Sequence, residues 1–297
     1  MYSYLREGLE DQYGILELQN GLLELMVYLD EFCSQYHIEY CLTGGSALGA
    51  RRHGGFIPWD DDIDIYMTPE QYESFRAAFV AHGDQNLYYL QEWCPMDIGG
   101  HHVVTMAKLR RNDSELLEAD FDGWDIHQGL FVDIFIVTPS PDRLLPRLAQ
   151  YIWAEAVVAK GLSMRNYRPH NRRDAVLMKL ARLLPAKWLI PTGLKQVYRY
   201  IGQNTPYLCG FLGTAKYSEG LYPTKALFPA VEADFETVRL KVPAENDVYL
   251  ATQYGPSFLE LPPVEDRPIN KHAANWHVSA PGKYTAGQHY SDEWKLV

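Results

Sequence analysis

The sequence predicts an α/β fold in which a mixed, mostly short sheet is flanked by helices. Residues 15–36 carry Ile15, Leu18, Leu22, Leu25, Leu29 and Phe32 at three- and four-residue spacing, the stripe of an amphipathic helix packed on a core. Ile63-Asp64-Ile65-Tyr66-Met67 alternates as a half-buried strand does. Residues 130–137, LFVDIFIV, form an almost continuous apolar run with one acid inside it. Carboxylates from two strands can therefore meet at one sheet, whose strand order the pattern leaves open.

The first helix leads into a strand at about 39–42, which delivers Gly44-Gly45-Ser46 and a helix from Ala47 to Arg51. The glycines let the backbone approach a ligand or adopt positive φ, Ser46 adds a hydroxyl donor, and the helix N-terminus completes an anion cradle. A double glycine on its own is more often a plain turn. Arg51, Arg52 and His53 supply donors between this cradle and the acids that follow, an arrangement suited to a diphosphate.

Asp60, Asp61, Asp62 and Asp64 fall within five residues, and strand alternation puts Asp62 and Asp64 on one face with Ile63 and Ile65 on the other. Two carboxylates side by side call for a divalent cation or a shared proton, and magnesium suits a site that also takes phosphate oxygens. Asp60, Asp62 and Asp64 also match the first, third and fifth positions of a calcium-binding EF-hand loop, but Ile65 stands where that loop needs Gly and Gln71 where it needs Glu. Thr68-Pro69-Glu70-Gln71 reads as an N-cap, a proline at the first helical position and a capping-box partner, opening a helix to about Ala81.

Strands are expected at 87–93 and 102–110. Lys108 and Arg110 share a face there, either to reach a phosphate or to protect an edge strand. His101 and His102 follow Gly99-Gly100 in a turn, as surface residues. Asp133 lies inside the apolar run and needs a cation or a hydrogen-bonded partner. It is a candidate third metal carboxylate with Asp62 and Asp64, the alternative being a buried Asp that caps a loop amide.

Helices are expected at Leu144–Gly161 and Ala175–Leu184, with Pro185 and Pro191 breaking the pattern before another helix. Residues 143–200 hold twelve Lys or Arg against two acids, Glu155 and Asp174, on a chain of net charge -11. This basic island either balances an acidic face of the protein or docks an anionic membrane surface or polyanionic glycan through Arg165, Arg168, Arg172 and Arg173 with Trp153, Trp188 and Tyr167. A strand at 235–242 and a helix over Asn246–Tyr254 stopped by Gly255 follow, then turns around Pro262-Pro263. The expected organisation is a core over 1–142, a basic helical insertion over 143–205, and a segment over 206–297 that returns to the core. Residues 273–297 suggest no role.

With 47% hydrophobic and 22% charged residues the chain reads as globular, and its negative balance argues against a nucleic-acid partner. Cys33, Cys41, Cys94 and Cys209 lie far apart, without zinc or disulfide spacing. MYSYLREGLEDQYG lacks the pattern of a secretory signal, and no apolar run approaches the ~20 residues that span a bilayer. A cytoplasmic location is expected, with peripheral contact at the inner face of the membrane through residues 143–200.

The run Gly44-Gly45-Ser46, followed by Gly49-Ala50, Arg52-His53, Gly55-Phe56-Ile57-Pro58-Trp59-Asp60, Asp62 and Asp64, resembles the LicD family of phosphotransferases, members of the nucleotidyltransferase superfamily related to fukutin-related protein. Gly129-Leu130-Phe131-Val132-Asp133-Ile134-Phe135 is similar to a further family strand, and Tyr249-Leu250, Tyr254-Gly255, Leu261-Pro262-Pro263 and Arg267 to a third segment. The likeness covers roughly residues 15–140 and 220–272.

The resemblance implies a nucleotidyltransferase-type core and a metal-dependent phosphotransfer. Asp62, Asp64 and Asp133 would hold one or two Mg2+ (or Mn2+) ions, and a CDP-alcohol, CDP-choline in the family, would lay its diphosphate across Gly44, Gly45 and Ser46. Arg51, Arg52, His53, Lys108 and Arg267 would bind the donor, with His272 nearby. Asp133 or Asp60 would take the proton of an acceptor hydroxyl on a glycan or glycolipid such as a teichoic acid or lipopolysaccharide precursor, releasing CMP. A choline cation favours an aromatic cage, for which Trp59, Trp93, Trp124 and Tyr66 are candidates. Two departures, Ile136-Val137-Thr138 before Pro139 and Ser114 in place of a common threonine, bear on donor and acceptor identity. The rival functions are a D-x-D glycosyltransferase, a nucleotidyltransferase using a triphosphate, and a degenerate glycan-binding module.

Overall fold

The computed structural model describes residues 11–92, 107–124, 126–165, 167–169, 171–213, 216–267 and 273–280. Trp93, His101, His102 and His272, singled out above, lie outside them. The amphipathic stripe becomes helix α1 (Leu16–Gln35), followed by β1 (Cys41–Leu42), α2 (Gly44–His53), β2 (Asp64–Met67), α3 (Pro69–His82), β3 (Tyr88–Gln91), β4 (Ala107–Arg111), β5 (Glu115–Glu118) and β6 (Phe131–Ile136). Five of these strands form one mixed sheet in the order β1-β2-β6-β4-β3, in which only β2 and β6 run parallel.

The apolar run of β6 reads as it does because the strand is central, with Val132 and Ile134 fully buried. Helix α1 crosses this strand closely: a Cβ added to Gly21 would lie 2.8 Å from Leu130 Cδ2. Gln19 on the same helix donates to the carbonyls of Ile57 (3.1 Å) and Asp60 (2.9 Å), fixing the loop that enters the acidic strand. Thr68 caps α3 through the Gln71 amide, but the Gln71 side chain accepts from Glu39 N–H instead of closing a capping box. A long-range tie has displaced the local one.

Strand β4 is interior to the sheet, so Lys108 and Arg110 do not protect an edge. The basic island is α4 (Leu144–Ser163), α5 (Arg172–Arg182) and α6 (Ala186–Val197), with α4 packed against both others. Pro191 lies inside α6 and does not end it. The island connects β7 (Thr138–Ser140) to β8 (Tyr207–Cys209), which pair in a small sheet completed by β9 (Leu221–Pro223). The short helix α7 (Thr224–Leu227) comes next. The strand expected over 235–242 is instead a hairpin of β10 (Val231–Phe235) and β11 (Val238–Val242), turning at Glu236 with φ of 55°. Helix α8 (Asn246–Tyr254) packs on α2, and β12 (Ala273–His277) pairs with β5.

Candidate active site

The chain leaves β1 and enters α2 with Gly44 at φ 55°, so the two glycines form the first turn of the helix. Their lack of a side chain makes room for acids: a Cβ on Gly44 would lie 3.0 Å from Asp64 Oδ2, and one on Gly45 would lie 2.3 Å from Asp60 Oδ2. Ser46 departs from its expected role. Its buried Oγ accepts the Asp64 amide at 2.9 Å and so ties α2 to the start of β2 rather than facing a ligand.

Pairing registers bring the acids together. Asp64 lies opposite Asp133 across the parallel pair, and Asp133 lies opposite Lys108 across the antiparallel one. A cavity of about 540 Å³ opens onto Asp60, Asp62 and Asp64, with Arg52, Trp59 and Tyr254 among its other walls. Burial, then the charges of Asp62, Asp133 and Asp60, push the Asp64 carboxyl well above the usual range. A group of acids that drives one of its own members toward protonation is relieved by a cation. Its all-oxygen donor set suits a hard divalent ion such as magnesium or manganese.

The acids that could hold a cation group as follows. Among the described residues, Asp60, Asp61 and Asp62 each offer a carboxylate oxygen within 4.8 Å of the others. Asp61 is fully buried and does not line the cavity, whose acids are Asp60, Asp62 and Asp64 beside the glycine turn and Glu260 on the wall. Asp133 sits behind them, with its Oδ1 2.8 Å from the Lys108 ammonium.

Lys108 belongs to a buried network. Its ammonium also reaches Glu118 Oε2 at 3.1 Å and lies 3.4 Å from the centre of the Phe131 ring. Fully buried Arg110 donates to Glu118 Oε1 (2.6 Å), Gln91 Oε1 (2.5 Å) and Gly129 O (2.8 Å). Burial opposes ionisation of Glu118, but Lys108 and Arg110 outweigh it and hold the carboxyl at about 2. Lys108 is therefore a buried counter-charge within the sheet.

Helix α8 closes the other side. Tyr249 OH accepts the Gly44 amide at 2.8 Å and lies 2.5 Å from Thr43 Oγ1, which fixes the glycine turn. Tyr254, 44% exposed, brings its hydroxyl to 3.9 Å from where a Gly44 Cβ would lie. Burial, then Asp64, Asp60 and Asp62, raise its pKa, so it stays a neutral donor at the cavity wall.

Comparison with known proteins bears directly on this arrangement. Residues 37–143 match the family model described as LicD/FKTN/FKRP, nucleotidyltransferase domain. They form a LicD-family nucleotidyltransferase domain. The lipopolysaccharide cholinephosphotransferase LicD of Haemophilus influenzae is 28% identical over 261 residues, 84% of this chain and 93% of that protein. Human ribitol 5-phosphate transferase FKRP is 48% identical over 44 residues, 14% of this chain and 9% of its own. An uncharacterized protein of Rickettsia typhi is 36% identical over 76 residues, 25% of each chain.

Not every expected donor group reaches the LicD-family site. Arg51 points away and pairs with Asp247 at 2.7 Å, in a second cleft of about 650 Å³ along β10, β11 and α8 that none of the predicted carboxylates lines. Arg52 does line the cavity and donates to the carbonyls of Phe258 and Glu260. Arg267 lies 4.6 Å from the Trp59 ring and donates to Pro262 O and Tyr13 OH, bracing a cavity wall. The His53 ring meets Trp59 edge-on at 6.1 Å, and partial burial followed by Arg52 and Arg267 pushes its pKa down to about 4. It is neutral near pH 7.

Among the described residues, the named aromatics do not gather into a cage. Trp59 lines the cavity, but Tyr66 is buried against Tyr222, Tyr249 and Phe135, and Trp124 packs on Phe121. Tyr254, Gln253 and Phe258 at the cavity wall were not among the predicted site residues. They lie some two hundred residues from the glycine turn, and no local spacing ties them to it.

Proposed function

We propose that this chain is a metal-dependent phosphotransferase. It would move a phospho-alcohol from a nucleoside-diphosphate-linked alcohol to a hydroxyl of a glycan or glycolipid. The observation that carries the reading is Asp60, Asp62 and Asp64 around one cavity, against glycines whose side chains would collide with those acids. CDP-choline is the proposed donor, since a relative aligned over 84% of this chain is a cholinephosphotransferase.

Asp60, Asp62 and Asp64 would hold the ion, with Asp133 behind them. When bound, magnesium or manganese offsets negative charge on the diphosphate and on the leaving nucleotide. Arg52 adds a fixed positive charge at the rim, and the neutral Tyr254 hydroxyl can donate to a phosphate oxygen. Asp133 is held by Lys108, so Asp60, on the cavity wall, is the better placed of the two proposed bases. The acceptor oxygen forms a bond to the transferred phosphorus, the bond from that phosphorus to the bridging oxygen breaks, and CMP leaves as the acceptor proton passes to Asp60.

The short, close match to a ribitol 5-phosphate transferase makes CDP-ribitol the second donor to examine. Thermal stabilisation against CDP-choline, CDP-ribitol, CDP-glycerol, UDP-glucose, CTP and ATP, each with and without magnesium, tests the reading. A magnesium-dependent shift with a CDP-alcohol is expected. A shift confined to UDP-glucose or to a triphosphate would replace it with the glycosyltransferase or the nucleotidyltransferase. Asp62→Asn, Asp64→Asn and Asp133→Asn should each lower turnover at least ~100-fold while remaining folded, and a wild-type rate would remove that residue from the site.

A further inference from the structure

Helices α5 and α6 carry a surface that the site does not use. Val176 and Leu180 recur at helical spacing on the exposed side of α5, Leu183 and Leu184 are exposed just beyond its end, and Trp188 is exposed in the first turn of α6. Leu183 is 79% exposed, and the other four lie between 42% and 56%. The opposite side already supplies core residues, among them Met178, Ala181, Leu189 and Ile190. Arg172, Lys179, Arg182 and Lys187 are exposed beside the stripe. The acids of residues 143–200 are Glu155 and Asp174, and Glu155 is engaged by Arg173 at 2.5 Å.

We infer that this face lies on an anionic lipid bilayer surface. An apolar stripe on a short helix, bordered by cations, is the composition of an in-plane interfacial helix, with the leucines entering the acyl boundary and the cations reaching headgroup phosphates. No helix among the described residues is long and apolar enough to cross a membrane, which fits a face that rests on the bilayer. A surplus of ten positive charges over residues 143–200 complements anionic lipid and opposes stacking of two such faces from two copies. A water-soluble polyanion would engage the cations but has no use for Leu183. Arg165, by contrast, stacks 4.9 Å from the Phe121 ring and is not needed for this face.

The test is co-sedimentation of the full chain with vesicles of phosphatidylcholine alone and of phosphatidylcholine with about one third phosphatidylglycerol. Binding to the anionic vesicles and not to the neutral ones is expected. Lys179→Gln and Lys187→Gln should each weaken it about fivefold. Leu183→Gln with Trp188→Gln should weaken it at least about tenfold with melting temperature unchanged, since both side chains are largely exposed. Failure to bind anionic vesicles, or equal binding to neutral ones, would overturn the proposal. Binding that falls with the lysines but not with Leu183 and Trp188 would mark a soluble-polyanion site instead. An oligomer in light scattering that the Leu183→Gln, Trp188→Gln variant converts to monomer, with vesicle binding unaltered, would assign the face to a second copy.

Discussion

Replacing Glu118 by Gln removes the anion that Lys108 and Arg110 share while keeping its shape. The structure holds this carboxyl at about 2 against an ordinary 4.5. That difference corresponds to roughly 3 kcal/mol of native stability at neutral pH, in line with the cost of breaking a buried pair. The side chain is only 11% exposed, so solvent screening removes little of it. Because the folded-state pKa is depressed, the contribution is complete above the unfolded value and is lost as pH falls through the window from 4.5 towards 2. The expected gap between wild type and Glu118→Gln is about 3 kcal/mol from pH 8 to 5.5, about 2 at pH 3.5 and about 1 at pH 3. Urea unfolding at those pH values measures it. A gap under about 1 kcal/mol at pH 7, or one that does not narrow by pH 3.5, would refute the charge network as drawn.

Gly45→Ala places a methyl where Asp60 Oδ2 now sits, 2.3 Å from the new carbon, in a helix whose backbone accepts Ala. Turnover should fall at least ~10-fold with a change in melting temperature of no more than a few degrees, and wild-type kinetics would show that Asp60 need not be where it is. Tyr254→Phe removes the hydroxyl facing the acids from a half-exposed residue. A loss of about 1.5–3 kcal/mol in transition-state binding, roughly 10- to 100-fold in kcat/KM, is expected, and an unchanged value would leave Tyr254 as a wall only.

Elements governed by local periodicity were legible. The α1 stripe records burial on one side and the apolar run of β6 burial on both, and the structure realises each, whereas β2, whose alternation reads as half-buried, has Ile65, Tyr66 and Met67 all buried. Where a distant partner decides, the local reading is incomplete. Gln71 has the spacing of a capping-box residue but bonds Glu39, and Lys108 resembles an edge cation until β3 covers the outer side of β4. The strand expected over 235–242 takes in β11 and only the last residue of β10, because the turn at Glu236-Thr237 carries no glycine or proline to mark it.

Asp133 shows the same division within the site. A carboxylate in LFVDIFIV announces a need for a partner, and burial energetics alone justify that expectation. Which partner meets it depends on two pairings at once. The β2–β6 register sets it beside Asp64, and the β4–β6 register brings Lys108, which answers the need at 2.8 Å. Lys108 stands twenty-five residues before Asp133, across a connection that no helix or strand period spans. The same geometry separates the acids by place: Asp133 meets an ammonium inside the sheet, while Asp60, Asp62 and Asp64 line the cavity.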